Sequence, residues 1–223
     1  ALDEYKNEVG IDLLNDSLQV ALKQFEESDN LGSLIQPLIY DIEDKKKKFE
    51  SIKFSNNLFL SNTHNNVLKV LNQIDYLQQK YHVVIANPPY MGLKNMNVNL
   101  SEYLQKNFKD AKTDLFAAFI FRITKLVIEK GQMGLMTPFV WMFISSCEKL
   151  RLFLIDQKTI TSLIQLEYSG FDGARVAICT FTLENNHNSN FKAGYIKLSA
   201  FRGAKNQAPK TLEAIENQNC DWF

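Results

Sequence analysis

The stretch Val83-Val84-Ile85-Ala86-Asn87-Pro88-Pro89-Tyr90 decides the fold. Its first four residues are apolar and mostly β-branched, which reads as a strand buried on both faces. Two consecutive prolines cannot extend a ladder, because neither has an N–H to donate. The strand therefore ends there, with Asn87 at its carboxyl tip. Downstream, a polar loop reaches to about residue 112. Thr113 and Asp114 then open a predicted helix over 115–130, with Thr113 as N-cap and Gly131 as stop signal. Residues 132–137 read as a second buried strand, ended by Pro138. A helix over 145–157, a third strand over 161–167, a fourth over 176–183 and a short fifth over 195–198 follow.

This alternation implies an α/β fold whose first strands are parallel. The third and fourth strands have no room for a crossover helix between them, so they should pair antiparallel. The expected architecture is a partial Rossmann-like sheet, mostly parallel, with an antiparallel final hairpin and helices at the N-terminus. Upstream of the strand, Leu14, Leu18, Leu22 and Phe25 recur at helical spacing over 12–27, with Asn30 and Gly32 as stop signals. Residues 34–39, broken by Pro37, read as an extended or edge piece. Lys45 to Lys48 suit a solvated helix face, with a phosphate contact as the sharper alternative. The Asn-rich residues 55–66 read as a loop or helix lead-in, before helical periodicity returns over 67–81. The resulting division is a helical segment over 1–81, a catalytic half-domain over 82–200 and a linker over 201–223.

With 223 residues, 45% hydrophobic and 22% charged, the chain can bury a sizeable core. Its 25 basic and 25 acidic side chains cancel, which argues mildly against a segment that grips nucleic acid alone, since phosphate contacts favour a basic excess. Cys147, Cys179 and Cys220 are widely spaced and form no Cys-x-x-Cys pair. They read as reduced thiols of a cytoplasmic protein. His64, His82 and His187 are equally dispersed, so no metal site is expected. No apolar run approaches the roughly 18 residues of a membrane span. The chain opens Ala1-Leu2-Asp3 without an initiator Met, which suggests an excised piece.

Ligands of open α/β sheets bind outside the carboxyl ends of the strands, where Asn87 to Tyr90 stand. An ordinary Asn-Pro turn is the plain reading. The sharper one concerns an amine conjugated to an aromatic ring, a poor nucleophile because its lone pair is delocalised. A side-chain amide oxygen and a backbone carbonyl can each accept one of its two N–H bonds. Held out of the ring plane, they localise the lone pair toward an incoming methyl group. Asn87 supplies one acceptor, the carbonyl of Pro88 the other, and Tyr90 a face for a base to stack on, worth about 1–3 kcal/mol. Nothing covalent to the protein forms.

The tetrapeptide after Val-Val-Ile-Ala resembles the catalytic motif of amino-methylating, S-adenosylmethionine-dependent DNA methyltransferases. Asp114-Leu115-Phe116 at a helix start and Gly134-Leu135-Met136-Thr137-Pro138 resemble the following helix and strand of gamma-type members. The segment from Phe171 to Val176 resembles a later motif. Within the family, the segment 29–35 looks most like the PglX adenine methyltransferases of BREX phage-resistance systems, with multi-domain restriction-modification enzymes the near alternative.

The resemblance covers about residues 10–200. It implies S-adenosylmethionine as cofactor beside Asn87 and Pro89, and adenine flipped from double-stranded DNA as substrate. Asn87, Pro88 and Tyr90 are then catalytic, Tyr90 and Phe171 hold the base, and other phage-defence proteins become partners. Phe171 as a core aromatic stays open beside that role.

The glycine-rich cofactor loop of such enzymes is missing: Gly10 and Gly32 stand alone, outside a strand-loop-helix context. The expectation is a fragment that needs other parts of the same polypeptide, binds the cofactor very weakly by itself and transfers no methyl group. Two alternatives remain at this point: a methyltransferase of glutamine side chains or RNA bases, and a non-catalytic interaction fragment.

Overall fold

The computed structural model describes residues 2–10, 12–39, 42–54, 57–170 and 177–223. It forms two compact units, Ala1–Gln79 and Lys80–Phe223.

The first unit is helical: α1 (Leu2–Val9), α2 (Asp16–Gln24), α3 (Ser28–Leu31), α4 (Glu43–Ser51) and α5 (Leu58–Gln78). Asn15 caps α2 by accepting from the Leu18 N–H. The Asn57 side chain accepts from Phe59 and Leu60 N–H groups, both at 3.1 Å, so α5 begins at Leu58, inside the Asn-rich stretch read as a loop or helix lead-in. The capping power of Asn outweighs the low helix propensity of its neighbours there. Residues 34–39 form no strand; Gly32–Leu34 is a short 3₁₀ turn, after which Ile35 and Ile39 are buried. In α4, Lys46 and Lys47 pair with Asp75 and Glu43 at 3.0 and 2.7 Å, so half of the lysine run lies against acids of its own unit. Tyr5, Leu14, Leu18, Phe49, Leu71 and Ile74 make the core.

In the second unit β1 (Tyr81–Ala86), α6 (Val98–Asn107), α7 (Leu115–Thr124), β2 (Val127–Pro138), α8 (Glu148–Gln157), β3 (Thr159–Gln165), β4 (Ile178–Glu184), β5 (Gly194–Lys197) and α9 (Ala204–Glu216) follow one another. The sheet order is β1-β2-β4-β3-β5. β1 is parallel to β2 and β3 to β5, while β4 runs antiparallel to both β2 and β3. Four of the five strands thus share one direction. The antiparallel hairpin expected of the third and fourth strands is present, with β4 inserted between β2 and β3.

α7 is shorter than the 115–130 read from sequence, and β2 correspondingly begins at Val127. Lys130 takes a left-handed conformation, φ 61°, and β2 spends the steps from Val127 to Gln132 where β1 spends those from Tyr81 to Val83. This is a bulge. Gly131 is required in it, since a Cβ there would lie 2.8 Å from the His82 carbonyl oxygen and 2.6 Å from a Val127 methyl. The helix starts at Asp114, not Thr113: Asp114 is extended and its side chain accepts from the Phe116 N–H.

One sheet face, carrying Met133, Leu135, Thr137, Leu163, Phe181 and Leu183, is buried. Phe116, Ala117 and Ile120 of α7 and Leu150 and Leu154 of α8 join that core. On the opposite face a smaller cluster joins Ile196, Leu198 and Ala214, with Ile164 and Trp222 packed against it. The segment read as a linker over 201–223 therefore contains a packed helix, α9, whose Ala214 is fully buried. Over β1 that second face is open: Val83 is 57% and Ile85 81% exposed. In this chain β1 stands at one end of the sheet order, and its residues are partly or fully exposed where burial on both faces was expected.

Candidate active site

Three consecutive constraints place Asn87. The β1 ladder fixes Ala86 opposite Leu135; the prolines stop the strand; and Pro88 is buried while Asn87, Pro89 and Tyr90 are exposed. The Tyr90 hydroxyl lies 2.9 Å from Asn87 Oδ1 and 3.3 Å from the main-chain oxygen of Met136 on β2, and can donate to either. The side-chain amide is thus held from within the motif. A carbonyl oxygen carries two lone pairs, so this bond leaves Asn87 with acceptor capacity. Tyr90 remains 40% exposed, with its hydroxyl anchored and part of its ring free. Burial pushes its phenol up, and the Cys179 thiol adds to this.

Beneath the motif lies a small buried polar group. Thr137 Oγ1 accepts from Trp141 Nε1 at 3.2 Å and lies 3.7 Å from Cys179 Sγ. All three residues are buried, and burial pushes the Cys179 thiol up. Cys179 is therefore a neutral core thiol, in line with its reading as a reduced structural cysteine. The loop leaving Tyr90 is bound to the start of α7 by an antiparallel bridge between Gly92 and Asp114. In it Leu93 N–H donates to Thr113 O at 3.1 Å and Leu115 N–H to Met91 O at 3.0 Å.

An open cleft of about 400 Å³ adjoins Asn87 on the uncovered sheet face, lined among others by Ile85, Ala86, Met136, Ile164 and Thr180. Among the described residues its lining is largely apolar and holds no carboxylate. Asn87 stands at this cleft, and Pro89, two residues on, is exposed. Among the described residues, no lining side chain offers the acidic partner that the ribose hydroxyls of a bound S-adenosylmethionine would take. Phe171 lies outside the described residues.

Phe139 follows β2 directly, at the start of the 3₁₀ turn Phe139–Met142. Its ring meets Phe143 and Tyr168 edge-on, at 6.2 and 6.0 Å with interplanar angles of 86° and 87°. Phe143 is 68% exposed. This aromatic group stands at the same carboxyl end of the sheet as Asn87. The only sequence signal for it was a concentration of aromatics just past Pro138. Among the described residues no group of three His, Cys, Asp or Glu could hold a metal ion, and no helix is long and apolar enough to cross a membrane.

A mixed sheet with Asn-Pro-Pro-Tyr at a strand tip defines a class, and comparison with known proteins gives the family. Residues 6–171 match the family described as Eco57I restriction-modification methylase, and the chain belongs to it. It is 32% identical over 209 residues to the adenine-specific methyltransferase BrxX of Escherichia coli O9:H4 (strain HS), covering 91% of this chain and 17% of that protein. It is 28% identical over 152 residues to the adenine-specific methyltransferase PglX of Lacticaseibacillus casei (strain Zhang), covering 66% and 12%. The chain thus spans about a sixth or less of these relatives' length. Among solved structures, a nuclease-deletion mutant of the Type ISP restriction-modification enzyme LlaGI, in complex with a DNA substrate mimic, shares the fold. The TM-score is 0.53 at 18% identity, over 78% of this chain and 17% of that one.

Proposed function

We propose that this chain carries the catalytic strand tip of an enzyme that methylates the exocyclic amine of adenine in double-stranded DNA. The enzyme works in the cytoplasm, marking host DNA in phage defence or restriction-modification, and these residues act within a longer polypeptide. One observation carries the reading: an exposed Asn87 amide oxygen, oriented by Tyr90, at the end of a strand whose next residue is a buried proline. The names of the BrxX and PglX relatives support adenine as the target.

S-adenosylmethionine, when bound, supplies an electrophilic methyl group. The rest is the work of this chain's own residues. Asn87 Oδ1 and the Pro88 carbonyl accept the two N–H bonds of the adenine amine and hold them as the nitrogen turns pyramidal, which frees its lone pair for attack. Tyr90 stacks on the flipped base, with Phe171 proposed as its second contact. Pro88 and Pro89 keep the acceptors from relaxing. As the nitrogen is methylated its charge is relieved by loss of one proton from the Asn87–Pro88 side, to solvent. The test is methyl-transfer labelling by the full-length enzyme carrying these residues, offered DNA, RNA and protein together. Label on adenine in DNA is expected; label confined to protein or RNA would overturn the substrate assignment.

A further inference from the structure

A second cavity lies at the other end of the sheet from Asn87. Its volume is about 570 Å³, and it is framed by the last turn of α8, the first residues of β3, the β4–β5 loop and the start of β5. β1, β2, β3 and β5 share one direction, so these first residues stand away from the strand tip that holds Asn87. Lys158, His187, Phe191, Lys192 and Tyr195 help to line it, and among the described residues that lining holds no carboxylate. In a chain whose 25 basic and 25 acidic side chains cancel, so one-sided a set is a local feature.

The cavity has a fixed frame. Thr159 Oγ1 donates to the Asn186 carbonyl at 2.7 Å and accepts the Asn188 N–H at 2.9 Å, tying the loop to β3. The Phe191 N–H donates to the Asn188 carbonyl at 3.2 Å, closing the turn that carries the Phe191 ring. Lys158 is half-buried, unlike an ordinary solvated lysine. Its Nζ donates to Asn185 Oδ1 at 2.7 Å and stands 5.3 Å from the centre of the Phe153 ring. An ammonium has three donors, and among the described residues Lys158 pairs with no carboxylate. A charge taken partly out of water costs free energy unless an opposite charge meets it. Burial accordingly pushes the pKa of Lys158 down. Phe191 and Tyr195 are 46% and 50% exposed, two flat faces in the same cavity as the cations.

We propose that this cavity binds a nucleotide: Lys158 and Lys192 take its phosphate, and Phe191 and Tyr195 hold its base. The size lies within the roughly 300–1,000 Å³ of small-molecule sites. A phosphate asks for cations without an acid beside them, and a base asks for an aromatic face. The site stands apart from the proposed methyl-transfer centre and does not depend on that reading. A free mononucleotide and one unit of a DNA strand carry the same chemistry.

The test is a titration of this chain with adenosine monophosphate, inorganic phosphate, adenosine and a single-stranded oligonucleotide, followed through its amide resonances. Adenosine monophosphate should shift residues 158–160 and 187–195 and bind with a Kd of about 1 mM or tighter. Phosphate and adenosine each make half of the contacts and should bind at least about tenfold more weakly. Lys158→Met and Phe191→Ala should each weaken the mononucleotide roughly tenfold. Lys158 also supports Asn185, so Lys192→Ala, at an exposed position, supplies a variant that keeps the fold. It too should weaken binding, by roughly five- to tenfold. An oligonucleotide that binds more tightly than the mononucleotide would put this site on the path of a DNA strand; the reverse would make the ligand a free nucleotide. Four results would overturn the proposal: no shift at about 10 mM, shifts confined to residues 85–90, phosphate binding as tightly as the mononucleotide, or unchanged affinity in a folded Lys192→Ala chain.

Discussion

Asn185, just past β4, is where a single side chain should matter most for the second unit. Its Nδ2 stands 3.2, 2.9 and 3.1 Å from the carbonyl oxygens of Thr124, Val127 and Ile128. Its Oδ1 accepts from Lys158 Nζ at 2.7 Å. Its main chain exchanges bonds with Lys130 and Gly131 at 3.3 and 2.9 Å. One amide thereby ties the end of α7 to the bulge that sets the register of β2, and hence which β2 carbonyl lies under Tyr90. Asn185→Ala removes two donated bonds and one charge-assisted acceptor in a half-buried setting. At about 1–1.5 kcal/mol for each such loss, the change should destabilise by about 3 kcal/mol. For a unit of this size that is a drop of roughly 6–12 °C in melting temperature. Asn185→Asp should be as harmful: it keeps Lys158 but turns a carboxylate oxygen on the three carbonyls. Urea unfolding followed by circular dichroism measures both. A loss below about 0.5 kcal/mol, the range of a plain surface substitution, would refute the reasoning.

His64 predicts a pH dependence of the first unit. The imidazole is buried among Tyr5, Phe49 and Phe54, and its Nδ1 lies 2.6 Å from the Tyr5 hydroxyl. Burial holds its pKa below 6.5, against an opposing pull from the Phe49 and Ile52 carbonyls. Below pH 6.5 the unfolded chain takes a proton that the folded unit refuses. Stability should therefore fall as pH drops from 6.5 through the folded value, and His64→Gln should flatten that slope; melts that are pH-independent between 7.5 and 5 would contradict it. At the site, Tyr90→Phe keeps the stacking ring and removes the bond that orients Asn87. Turnover of the full-length enzyme should fall about tenfold with KM for DNA nearly unchanged, as for loss of one positioned hydrogen bond; a rise in KM alone would show the hydroxyl serves binding instead.

How much of this was legible in the chain depends on whether the deciding interaction is local. Asn87 at a strand tip was, because Pro88 and Pro89 act on their own backbone. So was the antiparallel relation of β3 and β4, which follows from loop length. The end of α7 was not. Residues 115–130 look helical in composition, yet Asn185, more than fifty residues away, holds the turn and bulge that convert Val127 onward into strand. The cap at Asp114 was missed by one residue for a similar reason, since the bridge to Gly92 keeps residue 114 extended. The exposure of β1 was not legible either, because an apolar run records what a strand can bury and not what lies against it in this chain. The Phe139–Phe143–Tyr168 group depends on the strand order, which the sequence leaves open.

The central claim is that Asn87 accepts an N–H bond of the adenine amine at the moment of transfer. Asn87 is exposed, so Asn87→Ala should leave the melting temperature of the chain nearly unchanged. In the full-length enzyme carrying these residues, labelled methyl transfer to adenine in DNA should fall about 100- to 1,000-fold, as for loss of one preorganised transition-state hydrogen-bonding group. DNA methylation by the Asn87→Ala enzyme within a fewfold of wild type would contradict the account.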